Sequence, residues 1–160
     1  MRPLRALWPL VALIFLGCAT PYQPSGFRGG YSETILAENV FQVRFKGNGY
    51  TSGERASDYA LLRAAEVALG HGYRYFALAE TDQQTSLGSY TTPSQSHTTG
   101  YVYGNQVNLN TRTTGGQTYV FQKPSTTNTI ICFMEKPEDG GLVLDAEFVA
   151  RSIREKYGLE

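Results

Sequence analysis

The sequence predicts an α+β fold: a small two-layer sandwich of about four core strands, with two helices on one face of the sheet. The first observation is a strand, a helix and a second strand in succession. The second is a later pair of strand-like runs separated by a short turn, which predicts an antiparallel pair. The third is an amphipathic helix near the end of the chain. Because such elements bury their apolar faces against each other, a single domain is predicted over residues 35–160.

The first strand is predicted over residues 39–46, where Phe41, Val43 and Phe45 alternate with polar side chains. A period of two with aromatic and β-branched residues is typical of a half-buried strand. The second strand is predicted over residues 73–79, after an intervening helix. A strand–helix–strand crossover within one sheet favours parallel strands, so we expect these two strands to run in the same direction.

The first helix is predicted from a capping-box pattern, in which Thr51 is the N-cap and Glu54 reaches back to it. The helix is expected to continue to about Leu69, because Gly70 and Gly72 follow and favour termination. One helix face carries small residues that allow close packing on a sheet. These residues are Ala56, Ala60, Ala64, Val67 and Ala68.

Residues 81–117 form a polar excursion that is rich in Thr, Gly and Tyr and poor in aliphatic residues. Such a composition buries little surface, so the excursion is predicted to be a loop or a protruding hairpin around Gly104-Asn105. Tyrosine offers a large contact area with a polar tip at a low cost in conformational entropy. The candidate partner-binding residues are therefore Tyr90, Tyr101 and Tyr103, with Tyr119 just beyond the excursion. Scattered tyrosines on a flexible hairpin without a partner are the alternative.

After the excursion, residues 118–122 and 129–135 are predicted to be antiparallel strands joined by a turn at Lys123-Pro124-Ser125. A second helix follows, with Asp145 as its N-cap and Gly158 beyond its end. Its apolar stripe consists of Ala146, Val149, Ala150, Ile153 and Tyr157.

The first 17 residues predict a secretory signal peptide. Arg2 and Arg5 provide a basic start, and residues 7–16 are apolar up to the small residue Gly17. The apolar run is too short to cross a membrane as a helix, which requires about 20 residues. We therefore expect the chain to be exported and residues 1–17 to be removed.

The signal ends in Leu16-Gly17-Cys18, which resembles the lipobox of bacterial lipoproteins, with Phe15 where that pattern prefers Leu. The resemblance implies cleavage before Cys18 and lipid on its thiol, including palmitate-type acyl chains. Since Ala19 rather than Asp follows, it also implies an anchor in the outer membrane that faces the periplasm. The alternative is an ordinary signal peptide with a small-residue cleavage site around Cys18.

Residues 18–34 are rich in Gly, Pro and Ser and lack apolar periodicity, which predicts a flexible tether. About 15 flexible residues have a root-mean-square reach of about 20 Å. Docking of Phe27 and Tyr31 on the domain is the alternative.

Charge and composition exclude some classes of partner. The chain has 14 basic and 14 acidic residues, and loss of Arg2 and Arg5 with the signal peptide leaves a net charge of −2. This balance does not favour binding of nucleic acid, and no polybasic segment for anionic lipid is present.

No catalytic pattern stands out. Gly47, Gly49 and Gly53, with Glu80 after the next strand, resemble a dinucleotide fingerprint, but the polar residues of the first strand argue against a doubly wound sheet. No Cys or His lies at metal-ligand spacing. We therefore expect no cofactor, no metal and no enzymatic activity. Cys132 lies in an apolar run and is expected to be a small buried side chain.

Residues 22–24, 26–34, 39–51 and 128–133 together resemble a family of small envelope lipoproteins of unknown function, catalogued from Caulobacter proteins. The resemblance covers nearly the whole chain after Cys18, apart from the excursion. It implies a bacterial envelope lipoprotein and transfers only Cys18 as a functional residue.

The expected function is that of a lipid-anchored module that binds an envelope protein or a cell-wall partner. The alternative is a small-ligand carrier or a hydrolase with a pocket between sheet and helices. A deep cleft that collects Arg44, His71 or Glu80 would favour this alternative.

Overall fold

A computed structural model describes residues 18–138 and 141–159 and has the predicted α+β class. The predicted signal peptide lies outside the described residues. The elements are β1 (Gly30–Ala37), β2 (Val40–Lys46), α1 (Gly53–Gly70), β3 (Tyr75–Thr91), β4 (Gln95–Tyr103), β5 (Gln106–Thr114), β6 (Thr118–Phe133), β7 (Val143–Asp145) and α2 (Ala146–Tyr157). Five strands form an antiparallel sheet in the order β1-β2-β6-β3-β7, and β4 and β5 form a separate two-stranded sheet. The sheet has five strands instead of about four, because β1 and β7 add two edges while two of the predicted strands form the single strand β6.

The predicted strand–helix–strand unit is present, with another strand inserted in it. β2 and β3 each pair antiparallel with β6, so they run parallel to each other as predicted, but β6 lies between them. Phe41, Val43 and Phe45 of β2 are buried together with the small face of α1. Small side chains suit this layer because they let the helix approach the sheet closely enough to exclude water.

The first helix has a different N-cap from the predicted one. The hydroxyl of Ser52 accepts a hydrogen bond from a backbone N–H of the first turn at 3.1 Å. The Thr51 hydroxyl instead accepts a hydrogen bond from the backbone N of Thr20 at 3.0 Å. Glu54 accepts from Lys156 Nζ at 2.6 Å and so ties α1 to α2. The prediction of Thr51 as the N-cap was therefore wrong, because its hydroxyl holds the N-terminal segment.

Residues 118–133 form one continuous strand, so the prediction of two strands joined by a turn was wrong. In the pairing of β6 with β3, Pro124 lies opposite Thr85. Its carbonyl accepts a hydrogen bond from the backbone N of Gly47 at 2.8 Å, just beyond the end of β2. In an antiparallel strand, the N and C=O of one residue face the same neighbour. The missing N–H of Pro124 therefore faces the end of β2 and costs no hydrogen bond to β3.

The segment 18–34 is docked on the domain, in contrast to the predicted tether. Thr20 is buried, its backbone N–H donates a hydrogen bond to the Thr51 hydroxyl, and its own hydroxyl O accepts one from the backbone N of Asn48. Tyr22 packs against the core, and the ring of Tyr31 lies 4.7 Å from it between centroids. Tyr31 therefore packs on the domain, as predicted by the alternative to a flexible tether, whereas Phe27 is exposed.

The second predicted helix is confirmed as α2, with the predicted residues at both ends. The carboxylate of Asp145 accepts a hydrogen bond from the backbone N of Phe148 at 3.1 Å, and Gly158 ends the helix in the left-handed conformation with φ of 62°. The predicted apolar stripe faces the core, which places both helices against the same face of the sheet.

The lowered pKa values of two carboxylates predict that acid destabilises the domain. The hydrogen bond from the backbone N of Phe148 lowers the pKa of Asp145, and hydrogen bonds from the Arg63 guanidinium lower the pKa of Glu33. A lowered pKa contributes stability that is present above the unfolded value of about 4 and is lost as the pH falls through the folded value. We expect a lower urea midpoint at about pH 3 than at about pH 7.

The variant Asp145→Asn is a matched control, because Asn caps a helix about as well as Asp and does not titrate. Its urea midpoint should fall less between the two pH values than that of the unchanged chain. Equal losses would show that Asp145 does not contribute to the acid sensitivity.

Candidate functional site

β3 and β6 continue beyond the sheet as a two-stranded ribbon. β2 stops at Lys46, opposite Ser125, whereas β3 and β6 remain paired as far as Thr91 and Thr118. This part of β3 and β6 is called the ribbon below, and β4 with β5 is called the hairpin. The turn of the hairpin is at Gly104-Asn105, so the excursion has the predicted protruding hairpin. At about 3.3 Å per residue, the hairpin strands alone are about 30 Å long.

The hairpin exposes every side chain, on two chemically different faces. One face carries Tyr101 and Tyr103, which lie opposite the amide side chains of Asn108 and Gln106. The other face carries a pair of valines and cross-strand pairs of Ser and Thr hydroxyls 2.9 Å apart. The first face therefore combines aromatic surface with hydrogen-bond donors and acceptors, as recognition of a polar partner requires.

An aromatic groove of about 570 Å³ lies along the ribbon. Tyr90 lies opposite Tyr119 in the pairing of β3 with β6, and Phe121 follows on the same face. The loop between β2 and α1 forms the other wall. The groove is lined by Asn48, Gly49, Tyr50, Tyr90, Tyr119, Val120, Phe121 and Lys123, of which only Lys123 is charged. Tyr90 thus belongs to a different surface from Tyr101 and Tyr103.

Two glycines make room for the ring of Phe121 in this groove. A Cβ on Gly88, directly opposite on β3, would collide with the ring, and a Cβ on Gly49 would lie 2.9 Å from its Cδ2 atom. Lys123 Nζ lies 5.2 Å from the centroid of the same ring. Sequence reasoning missed Phe121, Lys123 and Tyr50 as site residues. Gly88 was the available signal, since a glycine inside a strand often marks a close approach.

A polar hollow of about 370 Å³ adjoins the groove at Lys123. Its lining includes Arg44 and Lys46 and no carboxylate. Within residues 18–138 and 141–159, none of these three cations makes an ion pair. The hollow is therefore a locally positive surface on a chain whose overall charge is balanced.

Cys18 lies beside the groove. Its carbonyl O accepts a hydrogen bond from Asn48 Nδ2 at 2.7 Å, and its side chain is exposed. Two residues further on, the hydroxyl O of Thr20 accepts a hydrogen bond from the backbone N of Asn48 at 2.9 Å. Because two extended residues span at most about 7 Å, these contacts keep Cys18 close to the groove.

Of the three residues named for a catalytic pocket, Arg44 and Glu80 come together and His71 does not. Arg44 and Glu80 border a hollow of about 160 Å³ on the sheet face away from the helices. His71 lies at the end of α1, where its ring is 4.5 Å from that of Phe41 between centroids. The space between sheet and helices is occupied by the hydrophobic core.

Comparisons with protein-family models, with curated proteins and with solved structures find no match to this chain. Among the helices that the structure describes, none is long and apolar enough to cross a membrane. No group of three His, Cys, Asp or Glu side chains within 18–138 and 141–159 is placed to hold a metal ion. A function therefore has to be inferred from the groove, the hollow and the hairpin.

The glycines of the dinucleotide-like pattern have packing roles. A Cβ on Gly47 would lie 2.7 Å from Cβ of Thr51, and Gly49 makes room for Phe121. Cys132 is buried on β6, as predicted, and burial raises the pKa of its thiol to about 11. This thiol is therefore a packing group with little thiolate at neutral pH.

Proposed function

We propose that this chain is a lipid-anchored module of the bacterial cell envelope that binds a partner and catalyses no reaction. Lipid on Cys18 anchors it, in the outer membrane and facing the periplasm. The tyrosine face of the hairpin binds an envelope protein or a cell-wall component.

The observation that carries the binding role is the uncovered hairpin. Tyr101 is 76% exposed and Tyr103 is 88% exposed on a structure with no covering element among the described residues. A two-stranded hairpin is only marginally stable in water, and its edges leave backbone N–H and C=O groups unpaired. A partner on this face would remove both rings from water and fix the hairpin.

Support for the anchor comes from the sequence before and at Cys18. The basic start and the apolar run are typical of a secretory signal, and Leu16-Gly17-Cys18 resembles a lipobox with Phe15 in place of the preferred Leu. The resemblance to Caulobacter-type lipoproteins stays a prediction and points in the same direction. Cys18 is exposed, so lipid on its thiol would not disturb the core.

A carrier or hydrolase with a pocket between sheet and helices has less support. The core occupies that space, and Arg44 and His71 lie on different parts of the surface. A binding module requires only an exposed and chemically distinct surface, which the hairpin provides.

The binding role predicts the outcome of cross-linking in intact envelopes. The double variant Tyr101→Ser with Tyr103→Ser should recover its partner at least tenfold less efficiently than the unchanged chain. Aromatic residues at the centre of an interface often contribute about 2 kcal/mol each, and 1.4 kcal/mol corresponds to a factor of ten. Cross-linked species are measured by mass spectrometry after affinity purification.

The matched control is Val102→Ser with Val107→Ser, which alters the opposite face of the same hairpin. This control should keep normal recovery. Loss of the partner in the valine variant alone would place the interface on the wrong face for the proposal. Absence of any cross-linked species with the unchanged chain would contradict the binding role itself.

A further inference from the structure

We propose that the aromatic groove and the adjoining polar hollow form a surface that docks on the phospholipid bilayer. The inference rests on the proposed lipid anchor at Cys18. It adds that the domain lies against the membrane in a defined orientation, instead of moving at the end of a tether.

The position of Cys18 is the first observation that supports docking on the bilayer. Asn48 holds the carbonyl of Cys18 through its side chain, holds Thr20 through its backbone N, and lines the groove. A lipid on the thiol of Cys18 enters the bilayer within a few bonds of this loop. The groove must then lie near the bilayer surface as long as Thr20 stays buried.

The side chains of the groove are the second observation that supports docking. Tyr50, Tyr90 and Tyr119 are 75%, 58% and 55% exposed. Tyrosine favours the boundary between membrane and water, because its ring enters the apolar region while its hydroxyl stays among the headgroups. No acidic side chain lines the groove, so no carboxylate there needs to lose its hydration on contact with lipid.

The positive charge of the hollow is the third observation that supports docking. Lys46 and Lys123 are cations without ion-pair partners in the described part of the chain. Both line the hollow, and Lys123 also lines the groove. Lysines near a membrane surface are attracted to anionic lipid. The sequence shows no polybasic segment because these lysines lie on β2 and β6, which only the fold brings together.

The experiment compares two single-cysteine labels on the lipidated chain in vesicles. Tyr90→Cys places a fluorophore on the groove face of β3, and Val107→Cys places it on the hairpin with similar exposure, 58% against 63%. Cys18 is blocked by its lipid and Cys132 is buried, so the label goes to the introduced thiol. The vesicles contain phosphatidylcholine with phosphatidylglycerol, and some lipids carry a nitroxide quencher near the headgroup.

We expect quenching by the nitroxide lipid to be several-fold stronger at position 90 than at position 107. Quenching by aqueous iodide should show the opposite order. In the Lys46→Gln, Lys123→Gln background, lipid quenching at position 90 should decrease in the mixed vesicles and stay unchanged in phosphatidylcholine alone.

Equal lipid quenching at the two positions would overturn the proposal. Protection of position 90 from iodide without lipid quenching would also overturn it, because a protein, such as a second copy, would then cover the groove. The intact mass of the chain and its co-sedimentation with vesicles distinguish a failure of docking from a failure of the anchor. A lipidated, vesicle-bound chain without quenching contradicts docking alone, whereas a chain without lipid contradicts both the anchor and docking.

Discussion

Replacing Phe76 with Ala should lower the free energy of unfolding by about 3–5 kcal/mol. Phe76 is fully buried on β3, between Cys132 of β6 and Leu144 of β7, in the layer that joins sheet and helices. Domains of this size are stable by only about 5–15 kcal/mol, so the variant should unfold at a much lower urea concentration. Equilibrium unfolding followed by circular dichroism measures the change.

The same substitution at Phe148 is the matched control. Phe148 lies on α2 and is 61% exposed, so Phe148→Ala should cost less than about 1 kcal/mol. Similar losses for the two variants would contradict the position of Phe76 at the centre of the core.

Replacing Cys18 with Ser should move the protein from the membrane fraction to the soluble periplasmic fraction, or leave its signal peptide uncleaved. Each buried methylene of an acyl chain contributes about 0.8 kcal/mol to membrane binding, and two chains make attachment durable. Serine has no thiol to carry them. Fractionation of cell envelopes and intact mass of the protein measure the result.

The control here is Cys132→Ala, which removes the other cysteine and leaves the proposed anchor in place. It should remain in the membrane fraction with the lipid mass. A Cys18→Ser chain that is fully processed and still sediments with membranes would contradict the anchor. An unchanged chain that is already soluble would favour the ordinary signal peptide.

Short-range patterns predicted β2, α1 and α2 well, because the signals for each lie within the element. The alternation of Phe41, Val43 and Phe45 is visible in any window that contains β2, and Asp145 caps α2 with its own side chain. The N-cap of α1 shows the limit of such patterns. Thr51 and Ser52 are both good caps, but the Thr51 hydroxyl bonds with Asn48 and with Thr20, which is distant in the sequence, and Ser52 caps the helix.

The candidate site was predicted in part. Exposure of Tyr101 and Tyr103 on a hairpin follows from composition and from the turn at Gly104-Asn105. The groove does not, because its two walls come from the loop around Tyr50 and from β6 around Phe121. Residues so far apart in sequence carry no common periodicity from which their contact could be predicted.

The sequence by itself determined the α+β class, the two helices, the polar hairpin and the candidate anchor at Cys18, because each depends on residues that are neighbours along the chain. Only the tertiary structure decided that Pro124 lies inside a continuous strand. Because the missing N–H of Pro124 faces the end of β2, the proline costs no hydrogen bond to β3. The tertiary structure likewise decided that residues 18–34 dock, because the hydrogen bonds of Thr20 form only when the loop at Asn48 is in place.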